Sequence, residues 1–417
     1  MELIIYVLQI PFVVLWGLLA GYLLLLTVVA AVPRHNNLGR SKHTKERRFI
    51  FVVPAHNEEK LISRTLESIY NVDYSKNLFR VVVVADNCTD STADLARSSG
   101  AIVHERFDTR KQGKGAALNW ITARLSETND FSDAYIFIDA DSTISPNFVN
   151  EMNQYLDLGH LAIQSSSLVH DISDSARGKL IAIAYFLFNH IRPLGRSKLG
   201  FSVGLRGNGM CFDRSLISRI SWNEESLVED LDLGNQLLSE GVKVAFSPNA
   251  LVSSDLPTMQ AGVDSQRMRW ERGRLLSNLN ELPKLLKKAL VCGHVSLFET
   301  TFDLMLPPLA LFGMVVLMFF LLNSVLAFLG YEKEMVLTVL WGLILAALIL
   351  HVTLGVLIGR THGKDFVGDL LAFSSVPRYL LLESRLVQNY AVEKDTVAVD
   401  PHSQINQKGT SKNVRRN

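Results

Sequence analysis

The chain is poor in cysteine, has no excess of charge of either sign, and contains long stretches with no charge at all. Its three cysteines, Cys88, Cys211 and Cys292, lie far apart in 417 residues. That spacing excludes a disulfide framework and a cysteine-built zinc site, and it fits reduced thiols in a cytoplasmic compartment. Lysine and arginine total 42 against 41 acidic residues, a formal net charge of +1. No global field draws the chain to nucleic acid, and no nucleic-acid-binding motif is present. Asn87-Cys88-Thr89 matches a glycosylation sequon, but the topology inferred below keeps it away from any lumen.

The missing charge is concentrated in three blocks, residues 3–33, 304–331 and 335–359. A spanning helix needs about 20 apolar residues, so each block suffices. A cleaved signal peptide would have a shorter apolar core behind a basic start. Here only Glu2 precedes the block, so an uncleaved anchor is expected over 1–33. The other two blocks predict a helical hairpin over 304–359, joined by Glu332-Lys333-Glu334. Basic residues set the orientation. Arg34, Arg40, Lys42, Lys45, Arg47 and Arg48 follow the first block, Lys284, Lys287 and Lys288 precede the second, and Arg360 and Lys364 follow the third. The N-terminus is therefore expected outside, with a cytoplasmic domain over 34–283 and an interfacial connector over 284–303. Asp369, Pro377, Arg378, Glu383 and Arg385 interrupt the next apolar stretch, which suits interfacial helices over 360–393 better than a fourth span. Residues 394–417 read as a disordered tail.

Between the first and second blocks, β-rich runs at 49–53, 81–84, 102–103 and 135–138 alternate with helical patterns such as 59–70 and 115–125. This predicts an α/β domain with a mostly parallel sheet covered on both faces. Ligands of such sheets bind beyond the carboxyl ends of the strands. The first run leads into Pro54-Ala55-His56-Asn57-Glu58-Glu59, a turn into a helix whose free N–H groups suit a phosphate or a uracil edge. The second leads into Asp86; Thr89 or Asp90 can cap the helix that follows, but capping leaves Asp86 unexplained. The fourth ends in Asp139-Ala140-Asp141. Period-two alternation would put both carboxylates on one side, where they repel unless a cation is near. Mg²⁺ or Mn²⁺ takes oxygen ligands and keeps positions open for substrate phosphates; a solvated turn is the alternative. Glu229, Asp230 and Asp232 open a helical pattern, where acids also suit the helix dipole. Gln266, Arg269 and Trp270 follow a loop at Pro257.

The order Pro54-x-x-Asn57-Glu58, Asp86, Asp139-x-Asp141, Glu229-Asp230 and Gln266-x-x-Arg269-Trp270 resembles the large inverting family that includes cellulose, chitin and hyaluronan synthases. Gly113-Lys114-Gly115 and Gly207-Asn208-Gly209-Met210 match further family segments. The likeness covers about residues 48–273 and the flanking apolar helices. Two features depart from it: Ala85 stands where many members carry a second aspartate, and few spans follow the domain.

The resemblance implies a GT-A-like nucleotide-sugar-binding domain and a membrane-bound glycosyltransferase using a nucleotide-diphosphate sugar, a UDP-sugar above all. It implies transfer with inversion to a saccharide acceptor, in extracellular or cell-envelope polysaccharide synthesis, with a lipid-linked acceptor as the alternative; contact with membrane lipid; and a place in the bacterial inner membrane, with other envelope-export subunits as partners. Pro54, Ala55, His56, Glu58 and Asp86 would hold the nucleoside side and Lys114 the phosphates. Asp141, with Asp139 beside it, would hold a divalent cation, Mn²⁺ or Mg²⁺. Asp230 would be the general base, Arg269 and Gln266 would lie near diphosphate and acceptor, and Trp270 would face an acceptor sugar. A glycolipid or polyprenyl-phosphate-sugar synthase is the alternative enzyme, and an inactive nucleotide-binding scaffold of an export complex the alternative of another kind. A transporter subunit is disfavoured, because His351 alone breaks the uncharged pattern of the spans.

Overall fold

Eight strands form one sheet in the computed structural model, which describes residues 2–33, 45–128, 132–169, 176–224, 226–254 and 260–361. The strands are β1 Phe49–Ala55, β2 Phe79–Asp86, β3 Ile102–Arg106, β4 Ala134–Phe137, β5 Ser142–Ile144, β6 Ala162–Val169, β7 Met210–Asp213 and β8 Val244–Ser254. The helices are α1 Glu2–Ala31, α2 Ile62–Tyr70, α3 Thr92–Ser98, α4 Lys114–Thr128, α5 Phe148–Asp157, α6 Ala176–Phe186, α7 Arg192–Lys198, α8 Arg214–Ile217, α9 Glu229–Ser239, α10 Gln260–Cys292, α11 Val295–Met305, α12 Leu309–Phe328 and α13 Glu332–Thr361. A π-helical turn, Leu187–Ile191, joins α6 to α7.

The strand order is β3-β2-β1-β4-β7-β6-β8-β5. The first four strands are parallel to one another, as expected. Beyond them the sheet is mixed, with β7 antiparallel to both β4 and β6, and β5 antiparallel to β8. After β6 the chain runs out through α6 and α7 and re-enters the sheet from the same end, so β7 must run the other way. Alternate residues of β1 serve two cores. Phe49, Phe51 and Val53 pack with Ile62, Leu66 and Ile69 of α2. Ile50 and Val52 pack with Leu118 and Ile121 of α4 and with Phe186 and Ile191. A sheet buried on both faces needs such continuous apolar runs. The order turns back at β1 and β4, so the crevice between their carboxyl ends is where ligands of open α/β sheets bind.

Among the described residues, three helical stretches are long and apolar enough to cross a membrane: Tyr6–Ala31, Leu309–Phe328 and Lys333–Gly359. They meet along a seam of Leu19, Leu23, Phe312, Val316, Leu337 and Trp341. Two polar pairs bridge them, Thr27 Oγ1 to His351 Nδ1 at 2.6 Å and Asn323 Nδ2 to Gln9 Oε1 at 3.1 Å. The second apolar block is divided differently from the sequence expectation. Pro307 and Pro308 follow Leu306, which is extended (ψ 121°), because a residue before proline is driven out of the helical region. Residues 295–305 thus form a separate helix, α11. Glu332-Lys333-Glu334 is likewise no linker; it starts α13, and the turn is made at Gly330 (φ 94°). The long helix α10 carries residue 284 and its neighbours on to Cys292. The expected interfacial helices and tail lie outside the described residues from 362 on.

A buried cluster of charges joins these helices to the sheet. Arg196 of α7 makes a two-pronged pair with Glu299 of α11, both bonds 2.7 Å, and a third bond to Asp303 at 2.8 Å. Arg192 takes the other oxygen of Asp303. Tyr22 of α1 donates to Glu299. Gly195 lets α7 approach α1 so closely that a Cβ there would lie 2.3 Å from Leu26 O. Lys198 Nζ donates to Ala30 O and Val32 O at 2.7 Å, capping the negative end of α1. Removing one member of a buried pair strands the other, at a cost of about 3–5 kcal/mol. Glu299→Ala or Arg196→Ala should therefore lower the thermal midpoint of detergent-purified protein steeply, and Arg196→Met with Glu299→Leu should recover part of the loss. Single variants as stable as wild type would show that the cluster does not hold the fold.

Candidate active site

The loops after β1, β2 and β3 are tied in turn by two asparagines in the left-handed region, which this side chain tolerates better than most. Asn57 (φ 56°) accepts from Thr89 N at 2.8 Å, and Asn87 (φ 50°) accepts from Asp108 N at 2.9 Å. His56 Nδ1 lies 2.7 Å from Asp86 O. Pro54 and Ala55 belong to β1 itself, past its last pairing with β4, Val52 with Phe137. The Asp86 carboxylate is buried and accepts from Arg106 at 2.6 Å and from Asn87 at 3.1 Å. Arg106 stands opposite Asp86 in the β2–β3 register. Sequence reasoning missed it, because the polar His104-Glu105 ended the visible apolar run before the strand does.

Strand β4 stops at Phe137, so Asp139-Ala140-Asp141 lies in the turn into β5, and strand alternation does not orient the two carboxylates. Other contacts do. Asn208 accepts from Asp139 N at 3.1 Å, and Ser142 Oγ donates to Asp141 at 2.8 Å. Lys114, at the first residue of α4, donates to the Asp139 carboxylate and to Gly207 O, the latter at 2.6 Å. Burial alone would lower the Lys114 pKa; the charges of Asp139, Glu229 and Asp230 outweigh it and raise the value. Burial raises Asp141, and Asp139 adds to this. Glu58, brought across the crevice by the β1 loop, is raised to about 7 by burial and by Asp141 and Asp139. Among the described residues, no three His, Cys, Asp or Glu side chains gather closely enough to hold a metal ion by themselves. The carboxylates nonetheless fit a divalent cation. They are oxygen donors, and the burial and mutual repulsion that raise Asp141 and Glu58 are what a cation would offset; substrate phosphates usually complete a magnesium-type site.

Asp230 lies in the first turn of α9, beside the Lys114–Asp139 pair. Gly207 (φ 78°) makes the approach possible: a Cβ there would sit 3.2 Å from Asp230 Oδ2. Burial raises the Asp230 pKa to about 7, Glu229 adds to the rise, and Lys114 opposes it. Asp232 points elsewhere, accepting from Ser277 Oγ of α10 at 2.6 Å. Helical geometry thus separates the acids, as residues two apart do not share a face. Gly209 (φ 69°) is also obligatory, since a Cβ would overlap Ser165 Oγ at 1.8 Å. Positions 266, 269 and 270 fall on α10, but the side chains of Gln266, Arg269 and Trp270 lie outside the described residues.

The sequence profile of glycosyltransferase-like family 2 matches residues 47–273, the span that carries every acidic and basic group just described. The chain belongs to this family. It is 28% identical over 271 residues to the probable glycosyltransferase YdaM of Bacillus subtilis, covering 60% of this chain and 61% of that protein. It is 27% identical over 234 residues to the beta-monoglucosyldiacylglycerol synthase of Synechocystis sp., covering 53% of this chain and 47% of that one. The chain thus spans about half to three-fifths of the length of these curated relatives. Among solved structures it is similar to the mannosyltransferase PcManGT of Pyrobaculum calidifontis, determined with GDP-Man and Mn²⁺. The TM-score is 0.54 at 17% identity, over 85% of this chain and 99% of that one, a likeness of fold. The expected GT-A-like architecture is therefore present, with the mixed sheet described above.

The raised acids make stability depend on pH. Glu58 and Asp230 bind protons more tightly folded than unfolded, so their contribution is fullest below about pH 4 and is lost as pH rises towards about 7. In chelator and without donor, Glu58→Gln and Asp230→Asn should each raise the thermal midpoint by a few °C at about pH 8, with the gap closing as pH falls to about 5. Equal midpoints for wild type and variants at every pH would refute the assigned shifts.

Proposed function

We propose that this family-2 protein is a membrane-bound glycosyltransferase that moves a sugar from a nucleotide-diphosphate sugar, a UDP-sugar, to an acceptor hydroxyl with inversion. The observation that carries the reading is the Asp230 carboxylate, poised near neutral pH and set one glycine away from the Lys114–Asp139 pair. Asp230 accepts the hydroxyl proton as the acceptor oxygen attacks the anomeric carbon from the face opposite the diphosphate. Lys114 offsets charge growing on the leaving diphosphate. The Pro54–Glu58 segment and Asp86, held by Arg106, shape the nucleoside side, and Gln266, Arg269 and Trp270 serve diphosphate and acceptor from α10. A divalent cation held by Asp141, with Asp139 beside it, supplies Lewis-acid stabilisation of the diphosphate when bound.

Asp230→Asn should keep UDP affinity and KM near wild type while kcat, read as UDP release, falls by about 10²–10⁴. Chelator should stop turnover, and added Mn²⁺ or Mg²⁺ should restore it. Near-normal kcat in Asp230→Asn, or full turnover in chelator, would overturn the corresponding role.

The acceptor reading that one observation favours is a lipid. The three apolar helices close on one another through fully buried Phe312, Val316, Leu337 and Trp341, which leaves no room along that seam for a polysaccharide to pass. The relative that glucosylates a diacylglycerol lipid supports the same choice. We place the catalytic domain on the cytoplasmic side, the start of α1 outside, in a bacterial inner membrane. Cys292 is exposed at the end of α10 and reports this directly. A membrane-impermeant maleimide should label it in inverted vesicles and spare it in intact cells; the opposite pattern would reverse the topology.

A further inference from the structure

Phe188 sits on the π-helical turn between α6 and α7, and three guanidinium groups lie over its ring. Arg206 is 4.4 Å from the ring centroid, Arg192 5.1 Å and Arg274 5.4 Å. Such turns are frequent at functional sites. Arg192 is neutralised by Asp303, and Arg196 by Glu299 and Asp303, so these carboxylates are already taken. Arg206 is different. Among the described residues it forms no ion pair, and its Nε is buried with no hydrogen-bond partner. Burial, together with Arg192, Arg196 and Arg274, depresses its pKa to about 9, and Asp303 opposes this. A half-buried guanidinium with a buried Nε, set among like charges, is costly unless an anion meets it.

Position says which anion. Arg206 immediately precedes Gly207, the residue that touches both Lys114 and Asp230. Its backbone N–H is fixed by Gln164 at 2.9 Å, so the loop is anchored to β6. On its other side, Phe188 leads directly into α7, which packs on the end of α1 through Gly195 and Lys198. Arg206 thus adjoins in sequence the glycine beside Asp230, while its guanidinium rests on the turn that leads into the helix packed on the end of α1. Phe188 is 37% exposed, so the platform under the guanidinium groups opens outward.

We propose that Arg206, stacked on Phe188, binds the phosphate of a phosphate-bearing acceptor lipid and so presents a hydroxyl of that lipid to Asp230. This rests on the glycosyltransferase reading above and narrows its acceptor to an anionic lipid. An uncharged diacylglycerol glycolipid would leave Arg206 unanswered. The other phosphate within reach is the donor's own diphosphate, and the experiment separates the two.

The purified full chain is titrated with dodecyl phosphate, with dodecyl maltoside and inorganic phosphate as controls, and binding is read as a rise in thermal midpoint. UDP affinity is measured in parallel. Wild type should be stabilised by dodecyl phosphate and by neither control. Arg206→Gln should weaken dodecyl phosphate binding at least tenfold and leave UDP affinity within twofold, and Arg206→Lys should recover part of it. Phe188→Leu, at a partly exposed position, provides a second variant if Arg206→Gln does not fold; it should weaken the lipid phosphate severalfold. Unchanged dodecyl phosphate binding in both Arg206→Gln and Phe188→Leu would overturn the site. An equal loss of UDP affinity would assign Arg206 to the donor, and equally tight inorganic phosphate would remove the lipid from the proposal. Absence of UDP-sugar turnover by wild type would sink the enzymatic reading while leaving this binding result to stand or fall separately.

Discussion

The pairing of Arg192 and Arg196 with Glu299 and Asp303 is the interaction on which the rest of the molecule depends. Four ionised groups in a place with little water must satisfy one another in a single arrangement, because any other leaves a bare charge. That arrangement fixes α7 against α11, and Tyr22 brings α1 into it. Helix α7 in turn continues the π-helical turn that carries Phe188. The apolar helices and the catalytic loop are thus referred to one rigid joint. Simple hydrophobic packing would hold these elements together, but with less definition of their relative angle and depth.

Within the crevice the same desolvation acts on several acids, and geometry assigns them different parts. Glu58 and Asp141 share one region with Asp139, and burial together with the crowding of negative charge raises both their pKa values. A cation and a diphosphate together relieve that crowding. Asp230 sits across Lys114 from this group, and its carboxylate is free of the Lys114 bond that Asp139 monopolises. On the proposed mechanism, one lysine divides the site into a side that would neutralise the leaving group and a side that would take up a proton. The two glycines at 207 and 209 make this division possible, since a Cβ at either would occupy space held by Asp230 or Ser165.

Much of this was legible in the sequence, and the reasons for the failures are specific. The apolar runs of β1 and β2 are so continuous that they could only be buried strands, and the three charge-free blocks correspond to the three apolar, membrane-length helices among the described residues. Strand β7 was illegible: four residues, Met210–Asp213, carry no period, and their direction follows from a long excursion through α6 and α7. Helix α11 was hidden because Leu304–Leu306 merge with the following apolar block, and only Pro307-Pro308 marks the break. In the site, Asp86, Asp139 and Asp141 stood out as polar residues at the ends of apolar runs, whereas Lys114 and Asp230 were singled out by the family resemblance. Arg106 and Arg206 did not, because their partners come from register and from distant helices. No spacing along the chain announces that Arg106 faces Asp86 or that Arg206 stacks on Phe188.

These two arginines show how a buried cation acquires meaning. Arg106 has a carboxylate at 2.6 Å and serves to hold Asp86; its charge is spent within the protein. Arg206 has an aromatic face, three like charges nearby and an unused Nε–H, so its charge is left for something that arrives. A guanidinium is weakly hydrated and keeps its charge under nearly all conditions, which lets it wait in such a place where a lysine would give up its proton. The joint that immobilises α7 is what makes the wait tolerable, because Asp303 lowers the local potential without closing on Arg206. The fold thus keeps one positive group in reserve, next in sequence to the glycine beside the base and resting on the turn that leads into α7, where an acceptor held in a lipid layer would carry its phosphate.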